Sequence, residues 1–280
     1  YLLFLFLDQF GLQVRAVGEI EGTWALPFWL GITALTGNFS ALFLNVSDYT
    51  RFIPRKGVSE ATYVNAHVIG VLPPSILMPF IGIMGAAAVG IWNPVDVISQ
   101  YIPMPIVSVF ILFFIALAQV TTNLVANIIP PAIIAMDIFK ISWARACVII
   151  GVLAVFTCPW LIMQADFFLT FVAGMSAFLG PLLGIMLVDY YIIHKGHYNV
   201  DALYEGEMFG KWRKINPAAV IAATVGAVLA LFFIDLSWFV GTITGATLYY
   251  ALMRYWVVNH DSYTANAFAA GKQQETVSES

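Results

Sequence analysis

The sequence predicts an all-α polytopic membrane protein, and three observations predict it. The first is composition. Of 280 residues, 61% are hydrophobic and 10% charged, with a mean hydropathy of +0.87. A soluble domain is roughly 45–50% apolar and about 25% charged, so 12 Lys and Arg with 16 Asp and Glu cannot cover a water-facing surface of this size. The second is a series of long apolar runs almost free of charge, of the length a helix needs to cross hydrocarbon about 30 Å thick. Barrel strands would run for about 10 residues and alternate in polarity, and no segment here does. The third is a one-sided distribution of Lys and Arg. Soluble globular and disordered classes are excluded. A net charge of −4 offers no basic field to phosphates, so no nucleic-acid partner is expected.

The bundle is expected over residues 1–258, with seven full spans: Leu26–Val46, Val64–Val89, Pro105–Pro130, Ala146–Met163, Phe167–Ile193, Pro217–Ile234 and Trp238–Val258. The opening residues YLLFLFL are too few to cross a bilayer and read as the end of a severed span, so the chain is expected to be a fragment. Arg51, Arg55 and Lys56 follow the first full span, Lys140 and Arg145 the third, Lys195, Lys211, Arg213 and Lys214 the fifth, and Arg254 and Lys272 close the chain. All lie on one side; Arg15 lies on the other. Cytoplasmic loops carry the positive excess, so the first full span runs from outside to inside. The polar tail 259–280 is expected to be cytoplasmic and disordered. This places the chain in the cell membrane as a multi-pass protein. The connection IWNPVDVISQYIP is expected to include a short interfacial helix, and His194–Asn216 to be cytoplasmic.

Polar side chains at bilayer depth cost free energy unless they are paired or line a wet cavity. In the first span Gly37, Asn38 and Phe39 fall near the centre. Either Gly37 permits close helix packing and Asn38 bonds a neighbouring helix, or the helix breaks here and Asn38 serves the freed backbone. In the third span Ala118, Thr121 and Thr122 are spaced i, i+3, i+4 and share a face. Two hydroxyls and a helix carbonyl are hard oxygen ligands that suit a small cation; the opposing reading is that each Thr bonds its own i−4 carbonyl. Asn123 and Asn127 lie on another face, Asn127 about 7.5 Å further along the axis than Thr122. Carboxamides pair a donor with an acceptor and suit an amide- or ureide-like ligand. In the fifth span Gly180, Pro181 and Gly184 permit a bend and close contact. Ser176 and Phe178 are candidates to face a cavity, and Asp189 reads as a structural charge paired with a loop Lys or Arg. Asp48 with Arg51, and Asp137 at the end of the third span, are either anchors or charge pairs that bias two states of a moving helix end. Pro73 and Pro74 are expected to kink the second span.

Cys147 and Cys158 sit in apolar sequence with no metal-ligand spacing and read as free thiols. His194, His197 and His260 fall in cytoplasmic segments and His67 stands alone near the start of a span, so no catalytic constellation forms and no enzyme is expected. A seven-helix receptor is the alternative to a transporter: the span count fits, the polar cluster of the third span does not.

The segments GNFSALFLNVSDYTRF, AQVTTNLVANIIPPAIIAMDIF, TCPWLI and FLGPLLGIMLVDYYIIHKGHYNVDALY resemble the nucleobase:cation symporter family 1, the permeases for uracil, allantoin, hydantoins, cytosine and related compounds. The resemblance runs from about Ala25 to Tyr204. It implies a LeuT-like fold of two inverted five-helix repeats and two further helices, of which the seven spans would be helices six to twelve. It implies a cation-coupled importer of a small heterocycle working by alternating access, with Na⁺ or H⁺ as coupling ion and no cofactor. Half of a Na⁺ site would come from the carbonyl of Ala118 and the hydroxyls of Thr121 and Thr122. Asn127, with Asn123, would meet the substrate's polar edge, and a broken first span would present Asn38 and Phe39 to its ring. Phe39 falls where the family often carries Trp; it stacks but lacks the indole donor. Phe178 would belong to the outer gate; Asp48, Arg51 and Asp137, on the opposite, cytoplasmic side, are the candidate gating charges read above from the residues themselves. The other halves of both sites would lie on a missing N-terminal half of the same polypeptide, the implied partner besides substrate and lipid bilayer.

Overall fold

A computed structural model describes residues 24–51, 53, 57–91, 93–157, 160, 165–196 and 215–257. The opening YLLFLFL, Arg15, Arg55, Lys56, Cys158, most of the His194–Asn216 connection and the tail 259–280 lie outside the described residues. Among the described residues every regular element is helical. The chain divides into two compact units, Tyr1–Gly22 with Asp48–Val152, and Thr23–Ser47 with Leu153–Ser280.

The first unit holds α3 (Glu60–Val89), α4 (Pro94–Tyr101), α5 (Pro105–Asn123), a π turn (Leu124–Ile128), α6 (Ile129–Phe139) and most of α7 (Trp143–Phe156). Caps set the boundaries. Ser59 accepts from the N–H of Thr62, and Gly90 closes α3 at φ 72, a left-handed conformation that glycine takes without strain. Asn93 accepts from the N–H of Val95 before Pro94 opens α4, the short helix expected in that loop. Helix α3 remains helical through Pro73, Pro74 and Pro79. The third span extends past its expected end at Pro130: Pro105–Phe139 is 35 residues of continuous helical backbone. A small core of Ala132, Ala135 and Ala146 joins α6 to α7.

The second unit contains α1 (Leu26–Leu44), α8 (Ala165–Leu187) with a π turn (Val188–Ile193), α9 (Pro217–Phe232), a 3₁₀ turn (Ile234–Leu236) and α10 (Ser237–Leu252) with a π turn (Met253–Val257); the short α2 (Val46–Thr50) straddles the unit boundary. Small residues bring these helices together, as expected where lipid supplies no hydrophobic drive between them. A Cβ on Gly184 would lie 2.2 Å from the carbonyl oxygen of Thr242, and one on Gly245 2.7 Å from Pro181 Cα. Thr33 donates to the carbonyl of Asp235 (2.8 Å), Ser237 to that of Ala173 (2.8 Å) and the Trp238 indole to Ser40 Oγ (2.6 Å).

Helix α1 corrects one expectation. It runs unbroken through Gly37, Asn38 and Phe39, and its discontinuity comes at Asn45. Gly37 is buried against Ser176, where even a methyl group would overlap. For Gly37 the packing reading wins because the close approach uses up the glycine; Asn38 beside it is exposed. Ser176, a candidate to face a cavity, is fully buried in the helix contact, donating to the carbonyls of Thr33 (3.1 Å) and Val172 (2.8 Å).

Candidate functional site

The densest group of polar side chains on a membrane-length helix lies on α5 and the π turn that follows. Ala118, Thr121, Thr122, Asn123 and Asn127 are all exposed. Thr121 donates to the carbonyls of Leu117 and Ala118, each at 3.0 Å. This is the back-bonding considered from the sequence; it leaves the hydroxyl lone pairs of Thr121 directed elsewhere, while the Ala118 carbonyl accepts both the Thr121 hydroxyl and the Thr122 N–H of the helix. The hydroxyl of Thr122 makes no hydrogen bond among the described residues.

The second face carries a ladder of carboxamides. Asn123 Nδ2 donates to the carbonyl (2.8 Å) and to the Oε1 (3.3 Å) of Gln119, and Asn127 Nδ2 donates to Asn123 Oδ1 (2.5 Å). Gln119 was not singled out from the sequence, although its i, i+4, i+8 spacing with Asn123 and Asn127 was the available signal. The three side chains order one another and present donors and acceptors together on one flank.

The prolines explain the backbone beneath Asn127. Pro130 and Pro131 lack the N–H groups that an α-helix would direct at the carbonyls of Ala126 and Asn127. The chain winds as a π turn over Leu124–Ile128, and the N–H of Ile129 reaches back to Leu124. Such turns recur at functional sites because the wider turn re-aims side chains.

The remaining candidates are dispersed. Asn38 is exposed and Phe39 half-buried on α1 in the second unit, as is exposed Phe178 on α8. Asp137 pairs with Lys140 on its own turn (2.9 Å), with side chains 84% and 79% exposed, so the pair contributes about 0–1 kcal/mol and joins no second element. Half-buried Asp48 and exposed Arg51 form no ion pair with each other among the described residues. His67 bonds the carbonyl of Tyr63 one turn earlier (2.9 Å). Cys147 is a free thiol. Among the described residues Asp189 meets Tyr249 (2.5 Å) and His194 (3.3 Å); Lys211, Arg213 and Lys214 of the loop expected to pair with it lie outside the described residues. No cluster of metal-ligating His, Cys, Asp or Glu occurs among the described residues.

A family model described as permease for cytosine/purines, uracil, thiamine, allantoin matches residues 9–258. The chain is 32% identical over 247 residues to an allantoin permease of Bacillus subtilis, covering 81% of this chain and 49% of that protein. It is 28% identical over 271 residues to a hydantoin permease of Microbacterium maritypicum, covering 92% of this chain and 55% of that one. The chain thus spans about half the length of these curated relatives. Among solved structures it matches Mhp1, a nucleobase-cation-symport-1 family transporter in a closed conformation with bromovinylhydantoin bound, at a TM-score of 0.74 and 25% identity, covering 95% of this chain and 62% of that one. The helical, LeuT-like transporter fold expected from the resemblance is therefore shown, and these relatives are permeases and a transporter, not enzymes.

Proposed function

Because the chain belongs to the family of permeases for cytosine/purines, uracil, thiamine and allantoin, we propose that it forms the second half of a cation-coupled secondary transporter importing a nucleobase or related heterocycle, of uracil, allantoin or hydantoin type, by alternating access. It is a multi-pass membrane protein; the bias of Lys and Arg supports an inward-facing C-terminus. The observation that carries the reading is the exposed polar run from Ala118 to Asn127 on a helix of mean hydropathy 2.1. Side chains of this kind at bilayer depth are costly against lipid and useful against cargo.

In this reading the Thr122 hydroxyl, with Thr121 and the Ala118 carbonyl, replaces part of the hydration shell of a small cation. Threonine does not titrate near neutral pH, which favours Na⁺ over H⁺. Asn127, held by Asn123, offers a paired donor and acceptor to the amide edge of the heterocycle, and the half-buried Phe39 supplies an aromatic face to its ring. Asp48, Arg51, Asp137 and Phe178 serve the gates. The cation favours the state that binds substrate, and the coupling is reciprocal. The residues that complete both sites are proposed to lie on a preceding five-helix repeat.

The test is uptake into proteoliposomes by the chain joined to such a repeat, across a panel of nucleobases, ureides and hydantoins, with and without Na⁺. Uptake of a member of the panel should rise with inward Na⁺, and Thr122→Ala should abolish that rise. A Na⁺ dependence that survives Thr122→Ala overturns the cation assignment; no uptake of any panel member overturns the substrate class.

A further inference from the structure

One cluster of titratable groups lies apart from the proposed transport site, at the C-terminal end of α8. There the π turn Val188–Ile193 brings His194 back over Asp189: the His194 N–H bonds the Asp189 carbonyl at 2.9 Å. The ring Nδ1 lies 3.1 Å from the same carbonyl and 3.3 Å from Asp189 Oδ2. Facing two oxygens, Nδ1 carries a hydrogen and donates. The other carboxylate oxygen, Oδ1, accepts the Tyr249 hydroxyl of α10 at 2.5 Å. Tyr249 Oη in turn accepts from Asn216 Nδ2 at 3.0 Å, while Asn216 Oδ1 caps α9 by accepting from the N–H groups of Ala218 and Ala219. One carboxylate thus joins α8 to α10 and, through Asn216, to the start of α9.

The cluster is enclosed. The His194 and Asp189 side chains are 6% and 19% exposed, and Tyr249 is 1% exposed. Ile185, Val188, Ile193, Ala218, Ala222 and Met253 form the apolar core around it. Asp189, on its own element, is the charged group bonded to His194, and Tyr249 from α10 reaches the same carboxylate; Tyr190 and Lys195 are its titratable neighbours along the chain, Lys195 in a left-handed turn at φ 48. Burial lowers the His194 pKa, but the side-chain bond to Asp189, its charge and the bond to its carbonyl outweigh that and hold it above the ordinary 6.5.

We propose that Asp189, Tyr249, Asn216 and His194 form a proton-binding brace, in which a proton gained by His194 makes an ion pair with Asp189, fixes the carboxylate where Tyr249 reaches it, and tightens the hold of α9 and α10 on the end of α8. In the orientation proposed above this end faces the cytoplasm, so cytoplasmic pH sets the grip. The sign follows from the raised pKa: the added stability is complete below about pH 6.5 and is lost as pH rises through the folded-state pKa.

The experiment follows the chain purified in detergent and needs no transport, so its failure is separate from failure of the function proposed above. Thermal unfolding and hydrogen exchange over residues 237–252 are read between about pH 5.5 and 9, the exchange corrected for its intrinsic pH dependence. The wild-type Tm should fall by a few degrees more across this window than that of His194→Asn, which keeps a donor toward Asp189 but does not titrate. Protection of 237–252 should weaken with rising pH in the wild type and stay level in His194→Asn. In Tyr249→Phe, His194 should still titrate above its ordinary value by NMR while protection of 237–252 no longer follows pH. Equal pH slopes in wild type and His194→Asn, or a His194 pKa at or below the ordinary value, overturn the proposal.

Discussion

Thr121 and Thr122 are neighbours of the same residue type, yet the helix uses them differently. Thr121 spends its hydroxyl hydrogen on the carbonyls of Leu117 and Ala118, which a helix interior allows any threonine to do. A cation that binds here meets oxygen lone pairs whose hydrogen already points away. Thr122 has no such bond among the described residues. Asn127 poses a related problem: its Nδ2 is engaged by Asn123 at 2.5 Å, so its Oδ1 and remaining N–H are what a ligand would meet. Asn127→Ala leaves one polar edge of a bound heterocycle without its partner, a loss of about 1–3 kcal/mol, or about 5- to 150-fold in affinity. Competition binding against a labelled substrate reads this directly, and an unchanged affinity removes Asn127 from the site. The ladder itself was partly legible. Asn123 and Asn127 stood out because amides are rare in hydrocarbon, whereas Gln119 passed unnoticed beside the threonines although its spacing fits the same face.

Helices were legible because apolar length and Pro, Asn and Ser at their starts are local properties of the chain. The interior of α1 was not, since Gly37 reads equally as a break or as a contact until Ser176 is placed against it. The π turn under Asn127 was missed for a different reason: Pro130 and Pro131 were read as the end of a span, and only the geometry shows the chain rewinding to continue to Phe139. The bond from Tyr249, 60 positions away, to Asp189 is likewise a long-range contact that no local pattern announces. Close approach also makes a prediction at this scale. A methyl group on Gly184 would lie 2.2 Å from the backbone oxygen of Thr242, and a backbone atom cannot rotate aside as a side chain can. Gly184→Ala should force α8 and α10 apart and cost about 1–3 kcal/mol, seen as a lowered Tm in detergent. Gly31→Ala, with nothing within 4 Å of its added methyl, is the control and should leave the Tm unchanged or slightly raised.

At the scale of the molecule, the unequal burial of the long helices is the fact to explain. The second unit's Phe167–Ile193 has 44% of its most apolar stretch buried, whereas the first unit's Ala61–Ile83 has none and Pro105–Phe139 has 6%. Lipid can cover the apolar faces of both poorly buried helices without cost. It cannot cover the Thr122 hydroxyl and the remaining donors and acceptors of Asn123 and Asn127 in the same way, because polar groups left without partners in hydrocarbon lose their hydration. The polar flank of α5 therefore calls for water or for other protein, and the proposed preceding repeat supplies both, as a wall and as a cavity. The chain spans only 49% of the matched allantoin permease and 62% of the matched Mhp1 structure, which leaves room in those proteins for such a wall. If half of each site is on that repeat, residues 1–280 alone should insert into membranes as a helical bundle yet show no saturable uptake of labelled uracil or allantoin in vesicles. Joined to a preceding repeat of the same family, they should regain it. Saturable, Na⁺-stimulated uptake by the 280 residues on their own would show that both sites are complete within this chain, and the polar flank of α5 would then need its partners among these residues.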